Sequence, residues 1–116
     1  MGWAKGVTAE EFVVLHLTLK GWRIEARNYR RKGLEIDIIA SRGERLICVE
    51  VKARNSENIP HPANLMRHQK LGKLESGMLM WLADEAPEET RNVEFWLCSV
   101  LLPTSRAQVE WIRIEY

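Results

Sequence analysis

Residues 33–55, GLEIDIIASRGERLICVEVKARN, are two apolar runs separated by a short polar break. Each run has the length of a strand, and each carries charge where a buried strand has none. Asp37 interrupts IDII, and Glu50 and Lys52 interrupt CVEVKA. The break SRGER (41–45) is long enough for a turn, so strands over 34–40 and 46–53 are expected as an antiparallel hairpin. Alternation sets Glu35, Asp37 and Ile39 on one face of the first strand, and Cys48, Glu50 and Lys52 on one face of the second. Directly opposed side chains in an antiparallel pair point the same way. A register with Asp37 opposite Glu50, or two places off, brings the carboxylates together; a slip of one residue separates them.

The rest of the chain supplies the surroundings of this hairpin. Thr8-Ala9-Glu10-Glu11 fits a capping box. A helix follows and stops at Gly21. Phe12, Leu15 and Leu19 recur at helical spacing, and Val13, Val14 and Leu17 make the helix apolar nearly all round. That predicts deep burial, with His16 a core histidine. WRIEARN (22–28) alternates as a strand and YRRKG (29–33) reads as a turn. After a polar loop over 55–64, a second helix is expected from near Pro62–Asn64 to about Ala83, with Pro87 closing it. Residues 92–102 and 107–116 read as two strands around the turn PTSR. The element order is α-β-β-β-α-β-β.

At 116 residues, with 46% apolar and 28% charged, the chain has the composition of one globular domain spanning 1–116. No apolar stretch suits a leader peptide or a membrane span, and Cys48 and Cys98 fall in apolar runs without metal-ligand spacing. Both are expected as reduced core thiols of a cytoplasmic protein. Net charge is +1, but residues 1–54 hold 11 Lys and Arg against 7 Asp and Glu, whereas residues 84–116 hold 3 against 7. Arg23, Arg27, Arg30, Arg31 and Lys32 crowd one stretch, either as a phosphate-binding footprint or as a solvated turn. On the second helix Lys70, with Lys73 and Arg67, is either a further phosphate path or a solvated helix face. His61 and His68 lack ligand spacing, and Trp22, Trp81, Trp96 and Trp111 fall in core-like patterns. Trp3 is the tryptophan expected to be exposed, and the final strand offers alternating polar groups suited to a dimer edge.

Converging carboxylates repel one another, and burial worsens it. A shared proton, a salt bridge to Lys52, or a divalent cation relieves the repulsion. Hard oxygen ligands suit Mg²⁺ or Mn²⁺. The Val51 carbonyl is a candidate third ligand, and Lys52 would stand beside a metal-bound water. A buried ion pair is the competing reading of the same residues.

The ordered set KG (5–6), Glu10, KGWRI (20–24), RN (27–28), EIDIIA (35–40), CVEVKAR (48–54), Lys70, WL (81–82) and VEWI (109–112) resembles the YraN family of small bacterial proteins. That family belongs to the PD-(D/E)xK, restriction-endonuclease-like superfamily. The resemblance implies an α/β (α+β) fold with a central mixed sheet flanked by helices. It implies a Mg²⁺- or Mn²⁺-dependent nuclease, with Asp37 as the acidic metal ligand, Glu50 and Lys52 as the Glu-x-Lys pair, and Glu10 as the carboxylate of the first helix. Glu35 matches a family acid outside the metal ligands, and Gln69 matches a glutamine that some superfamily members carry on the second helix. Arg27, Arg30, Arg31, Lys32, Arg54 and Lys70 are the expected nucleic-acid contacts, with DNA the expected partner. A resolvase-like activity needs two sites and hence a homodimer; the alternative is a nucleic-acid-binding or adaptor protein that keeps the fold without turnover. The chain departs from the family at Leu34, where a second glycine is usual, and at Trp96, where an acid often stands.

Overall fold

A reciprocal cap starts the first helix, α1 (Ala9–Leu19). Thr8 Oγ1 accepts from the Glu11 N–H and Glu11 Oε2 from the Thr8 N–H, each at 3.0 Å. These contacts come from a computed structural model, which describes residues 7–55, 68–102 and 108–115 and, at 68 and 69, the backbone alone. The helix presents only Val13 and Leu17 fully to the core, while Leu15 is 46% and Leu19 79% exposed. The all-round burial expected from its composition is therefore wrong. One sheet lies on one side of α1, and apolar side chains on the far side stay exposed among the described residues.

Strand β1 (Arg23–Arg31) runs three residues further than alternation suggested. Tyr29, Arg30 and Arg31 belong to the strand because the turn needs only Lys32 and Gly33, at φ 50° and 79°. Two positive-φ residues form the tight hairpin turn whose twist matches the flanking strands. Strands β2 (Leu34–Arg42) and β3 (Arg45–Arg54) form the expected antiparallel hairpin. Helix α2 (His68–Glu85) then leads to β4 (Val93–Leu101) and β5 (Gln108–Arg113). The expected start of α2 at 62–64, Trp3, His61, Arg67 and the side chains of His68 and Gln69 lie outside the described residues.

The order β1-β2-β3-β4-β5 makes one mixed sheet. All neighbours are antiparallel except β3 and β4, which α2 joins in parallel. Val13 and Leu17 of α1 pack on Ile38, Ala40, Ile47, Val49, Cys98 and Val100. Leu74, Met78 and Trp81 of α2 pack on the other face, against Tyr29, Ile36, Ile39, Leu46 and Cys48. The α+β class and element order match the expectation, and both cysteines are free and buried. Trp81 is in the core, but Trp22, Trp96 and Trp111 are only half-buried. An 11-residue helix is about 16 Å long and leaves these three indoles at the rim of its face. Among the described residues, no helix is long and apolar enough to cross a membrane.

Candidate functional site

The β2–β3 ladder runs from Arg42↔Arg45 to Ile38↔Val49, and its next step sets Asp37 against Glu50. The backbone pairing ends there. The Val51 N–H donates to Asp37 Oδ2 at 2.7 Å. In an antiparallel ladder the N–H and C=O of one residue point to the same side, so the Val51 carbonyl faces the same gap. On the other side of β2, Asn28 stands at φ 50° between the paired residues Arg27 and Tyr29, so β1 also distorts opposite Asp37. Asp37 sits where the β3 pairing stops and β1 carries a local kink, and the end of the β3 pairing makes room for chemistry.

Glu50 is 7% exposed and touches Asp37. Burial pushes the Asp37 carboxyl up to about 6, with the contact to Glu50 adding to the rise and the Val51 N–H opposing it. On α2, the Lys70 ammonium lies 2.7 Å from Glu50 Oε2. The approach is not aligned as a hydrogen bond, leaving that buried oxygen without an oriented donor. The close contact with Glu50 holds Lys70 above its ordinary pKa, first through its donor–acceptor approach and then through charge, against burial, which lowers it.

Glu10, in the first turn of α1, borders Asp37 from the other face of the sheet. Burial raises its carboxyl, the charge of Asp37 adds to this, and Arg27 and Asn28 lower it. Arg27 Nη2 is 3.6 Å from Glu10 Oε1, a buried oxygen with no aligned donor. Among the described residues, no three His, Cys, Asp or Glu side chains meet closely enough to hold one metal ion. The arrangement is a touching pair, Asp37 and Glu50, with Glu10 beside it.

Lys52, two residues beyond Glu50 on the same strand face, is exposed. It is not the counter-charge of Glu50; Lys70 takes that place. Glu35 is not at the carboxylate pair but on the surface with Arg30, at 3.2 Å. Arg31 stacks on Tyr29 at 5.0 Å and lies 3.9 Å from Glu85, and Lys32 is exposed in the turn. Arg54 is turned inward, its side chain 16% exposed and 3.9 Å from Glu110, so it offers little to an external phosphate.

Two features escaped the sequence reading: the pairing of Lys70 with Glu50, and the burial of Ser99. Lys70 was named as a phosphate contact, but it shares a helix stripe with Leu74 and Met78, and a lysine on a core-facing stripe was the available signal for a buried acid. Ser99 pairs with Lys52 across β3 and β4, is 1% exposed, and its Oγ has no hydrogen-bond partner. Periodicity shows its face but not its burial.

The sequence model of the uncharacterised protein family UPF0102 matches residues 9–109. A UPF0102 protein of Nitratidesulfovibrio vulgaris is 39% identical over 80 residues, which is 69% of this chain and 60% of that protein. A UPF0102 protein of Brucella canis is 36% identical over 97 residues, covering 84% of this chain and 75% of the relative. One from Prochlorococcus marinus is 30% identical over 112 residues, covering 96% and 89%. The match to the Nitratidesulfovibrio protein thus spans less than two thirds of that relative's length.

Proposed function

The chain belongs to the uncharacterised protein family UPF0102, and we propose that it is a nuclease-like domain whose Asp37–Glu50 site hydrolyses DNA phosphodiester bonds with a divalent cation. The observation that carries this reading is the touching pair of carboxylates at the point where β2 leaves β3. The donor set fits a hard cation. Two carboxylates destabilise each other, and Glu50 Oε2 is buried without an aligned donor. Asp37, Glu50 and the Val51 carbonyl would hold Mg²⁺ or Mn²⁺. The cation would supply Lewis-acid polarisation of a phosphoryl oxygen and a more acidic bound water.

The remaining steps belong to side chains. Lys52 reaches into solvent beside Glu50 and would orient the attacking water, or neutralise charge developing on the phosphate. Glu10 adds negative charge behind Asp37, and Arg27 holds it in place. Lys70 would yield Glu50 to the cation and then face the scissile phosphate. Arg30, Arg31 and Lys32, at the β1–β2 turn, would position the DNA backbone, because a chain of this size offers little surface for base readout. A branched substrate cut on two strands would require two copies of the chain.

A second reading is favoured by one observation. Lys70 already neutralises Glu50 at 2.7 Å, as it would in a nucleic-acid-binding protein that keeps the fold without turnover. Calorimetric titration of Mn²⁺ and Mg²⁺ into wild type and Asp37→Ala, followed by incubation with branched and linear DNA, separates the two. The nuclease reading expects metal binding and metal-dependent cleavage by wild type, and neither in the variant. Absence of metal binding by a folded wild type sinks it and leaves the binding protein.

A further inference from the structure

A second concavity lies on the α1 face of the sheet. It is a cleft of about 320 Å³ walled by the indoles of Trp22, Trp96 and Trp111. Leu17 and Ile47 also line it. The volume is at the lower end of the range for small-molecule sites, roughly 300–1,000 Å³. Trp96 and Trp111 meet edge to face at 6.4 Å and 79°. The Arg45 guanidinium lies 5.1 Å from the Trp22 ring centre and 6.0 Å from that of Trp96, and Arg42 lies 5.3 Å from Trp22. These three indoles pack against the core with one side and surround a space with the other, remaining half-buried.

Charge narrows the choice of occupant. Lys20, Arg45 and His16 complete the lining. Glu94 and Arg45 neutralise each other through hydrogen bonds at 2.8 and 3.1 Å, and the Trp96 Nε1–H donates to Glu94 at 2.9 Å, so the positive charge left for a ligand in this lining is that of Lys20. Burial and the charge of Lys20 lower the His16 pKa, which favours its neutral ring. A flat, π-rich and negatively charged molecule matches these walls. Neither a bare inorganic anion nor a neutral apolar molecule would use both the indoles and the cation.

We infer that this cleft binds a nucleotide, its base among Trp22, Trp96 and Trp111 and its phosphate at Lys20, with Arg45, paired to Glu94, holding the Trp22 and Trp96 walls. Lys20 follows the last turn of α1 and Glu10 lies in its first. Ten residue rises along the helix axis separate them by about 15 Å, so the cleft is distinct from the carboxylate pair. The inference goes beyond the nuclease reading and does not need it. The nucleotide is either free or an unpaired unit of a strand, because both present a base with an attached phosphate.

The test is indole fluorescence with adenosine monophosphate, inorganic phosphate and a short oligodeoxyadenylate. The proteins are wild type, Lys20→Glu, Arg45→Gln and Asp37→Asn. Base stacking should quench wild-type emission, and the nucleotide should bind about tenfold or more tightly than phosphate. Lys20→Glu and Arg45→Gln should each weaken it at least about fivefold, and Asp37→Asn should leave it unchanged. Lys20 is exposed, so its variant keeps the test valid should Arg45→Gln fail to fold. Stronger binding of the oligonucleotide, with the same sensitivities, identifies the strand as the source; stronger binding of the monophosphate identifies the free nucleotide. No saturable quenching at millimolar nucleotide overturns the inference. So does phosphate binding as well as nucleotide, or a loss confined to Asp37→Asn.

Discussion

Asp37 accepts the Val51 N–H while touching Glu50 and bordering Glu10, and burial is the largest cause of its raised pKa, about 6. Because its folded value lies above the unfolded value, the ionised carboxylate opposes folding at neutral pH, and the penalty fades as pH falls through about 6. Asp37→Asn keeps an oxygen for Val51 and removes the charge. The metal-free variant should therefore be more stable than wild type at pH 7, by about 1 kcal/mol after discounting for solvent screening. Thermal melts with and without Mn²⁺ check this. Mn²⁺ should raise the wild-type midpoint and leave the variant's unmoved, and a variant less stable than wild type without metal would contradict the account. Glu94 behaves oppositely. The Arg45 hydrogen bonds hold its carboxyl down at about 2, helped by the Trp96 N–H, while burial opposes them. Its contribution to stability is complete above the unfolded value near 4.5 and disappears as pH falls through about 2. Melts of wild type and Glu94→Gln between those limits should converge as the acid protonates, and parallel curves would argue against the pairing.

At the scale of elements, α2 is held against β2 by a close approach at Gly77. A Cβ there would lie 3.1 Å from Ile36 Cδ1 and 3.2 Å from its Cγ1, and Ile36 is 1% exposed. Alanine at a helical glycine normally stabilises by about 0.5–1 kcal/mol. Here overpacking, typically 1–3 kcal/mol, outweighs that gain. Gly77→Ala should lower stability by about 1 kcal/mol in a denaturant melt, and Ile36→Val in the same chain should recover part of it because the offending Cδ1 is gone. A stabilised single variant would mean that Ile36 has room to move. This contact also marks what the sequence could and could not reveal. The β2–β3 hairpin and the shared face of Asp37 and Glu50 were legible from alternation, which left open whether the two stand opposite or two places apart; the structure sets them opposite. The turn at Lys32-Gly33 was misplaced because Tyr29–Arg31 look like surface, although Tyr29 is a core residue. The indole cleft was invisible to periodicity. Trp22, Trp96 and Trp111 have core-like spacing, and only the length of α1 leaves them uncovered. Lys70 was recognised as a cation but not as the partner of Glu50, since a residue on a separate helix reveals its partner only once packed.

Across the whole molecule, strand order follows chain order, so the charge gradient of the sequence becomes a gradient in space. The basic residues of the first half gather on β1 and at its turn, one edge of the sheet. Much of the acidic excess runs from the end of α2 into β4, with Asp84, Glu85, Glu88, Glu89 and Glu94 against Arg91, which bonds the Gly43 carbonyl at the end of β3 remote from Glu50. A net charge of +1 therefore conceals a cation-rich β1 edge, partly offset there by Glu35 and Glu85, and an acid-rich stretch around Glu88 and Glu89. DNA drawn by this field would meet the β1–β2 turn first. Binding through three or four phosphates should give a slope of about −3 in log affinity against log salt. Arg30→Glu with Lys32→Glu should flatten it by about 1–2, weakening linear sequences about equally. Glu88→Gln, in the acid-rich stretch, should leave affinity and slope unchanged. Fluorescence anisotropy of a labelled duplex over a salt series, with Ca²⁺ in place of Mg²⁺ so that cleavage does not deplete the substrate, measures all three. Equal slopes for wild type and the double variant would move the DNA off the β1 edge, and the carboxylate pair would then have to be reached from the α2 side, past Lys70 and Lys73.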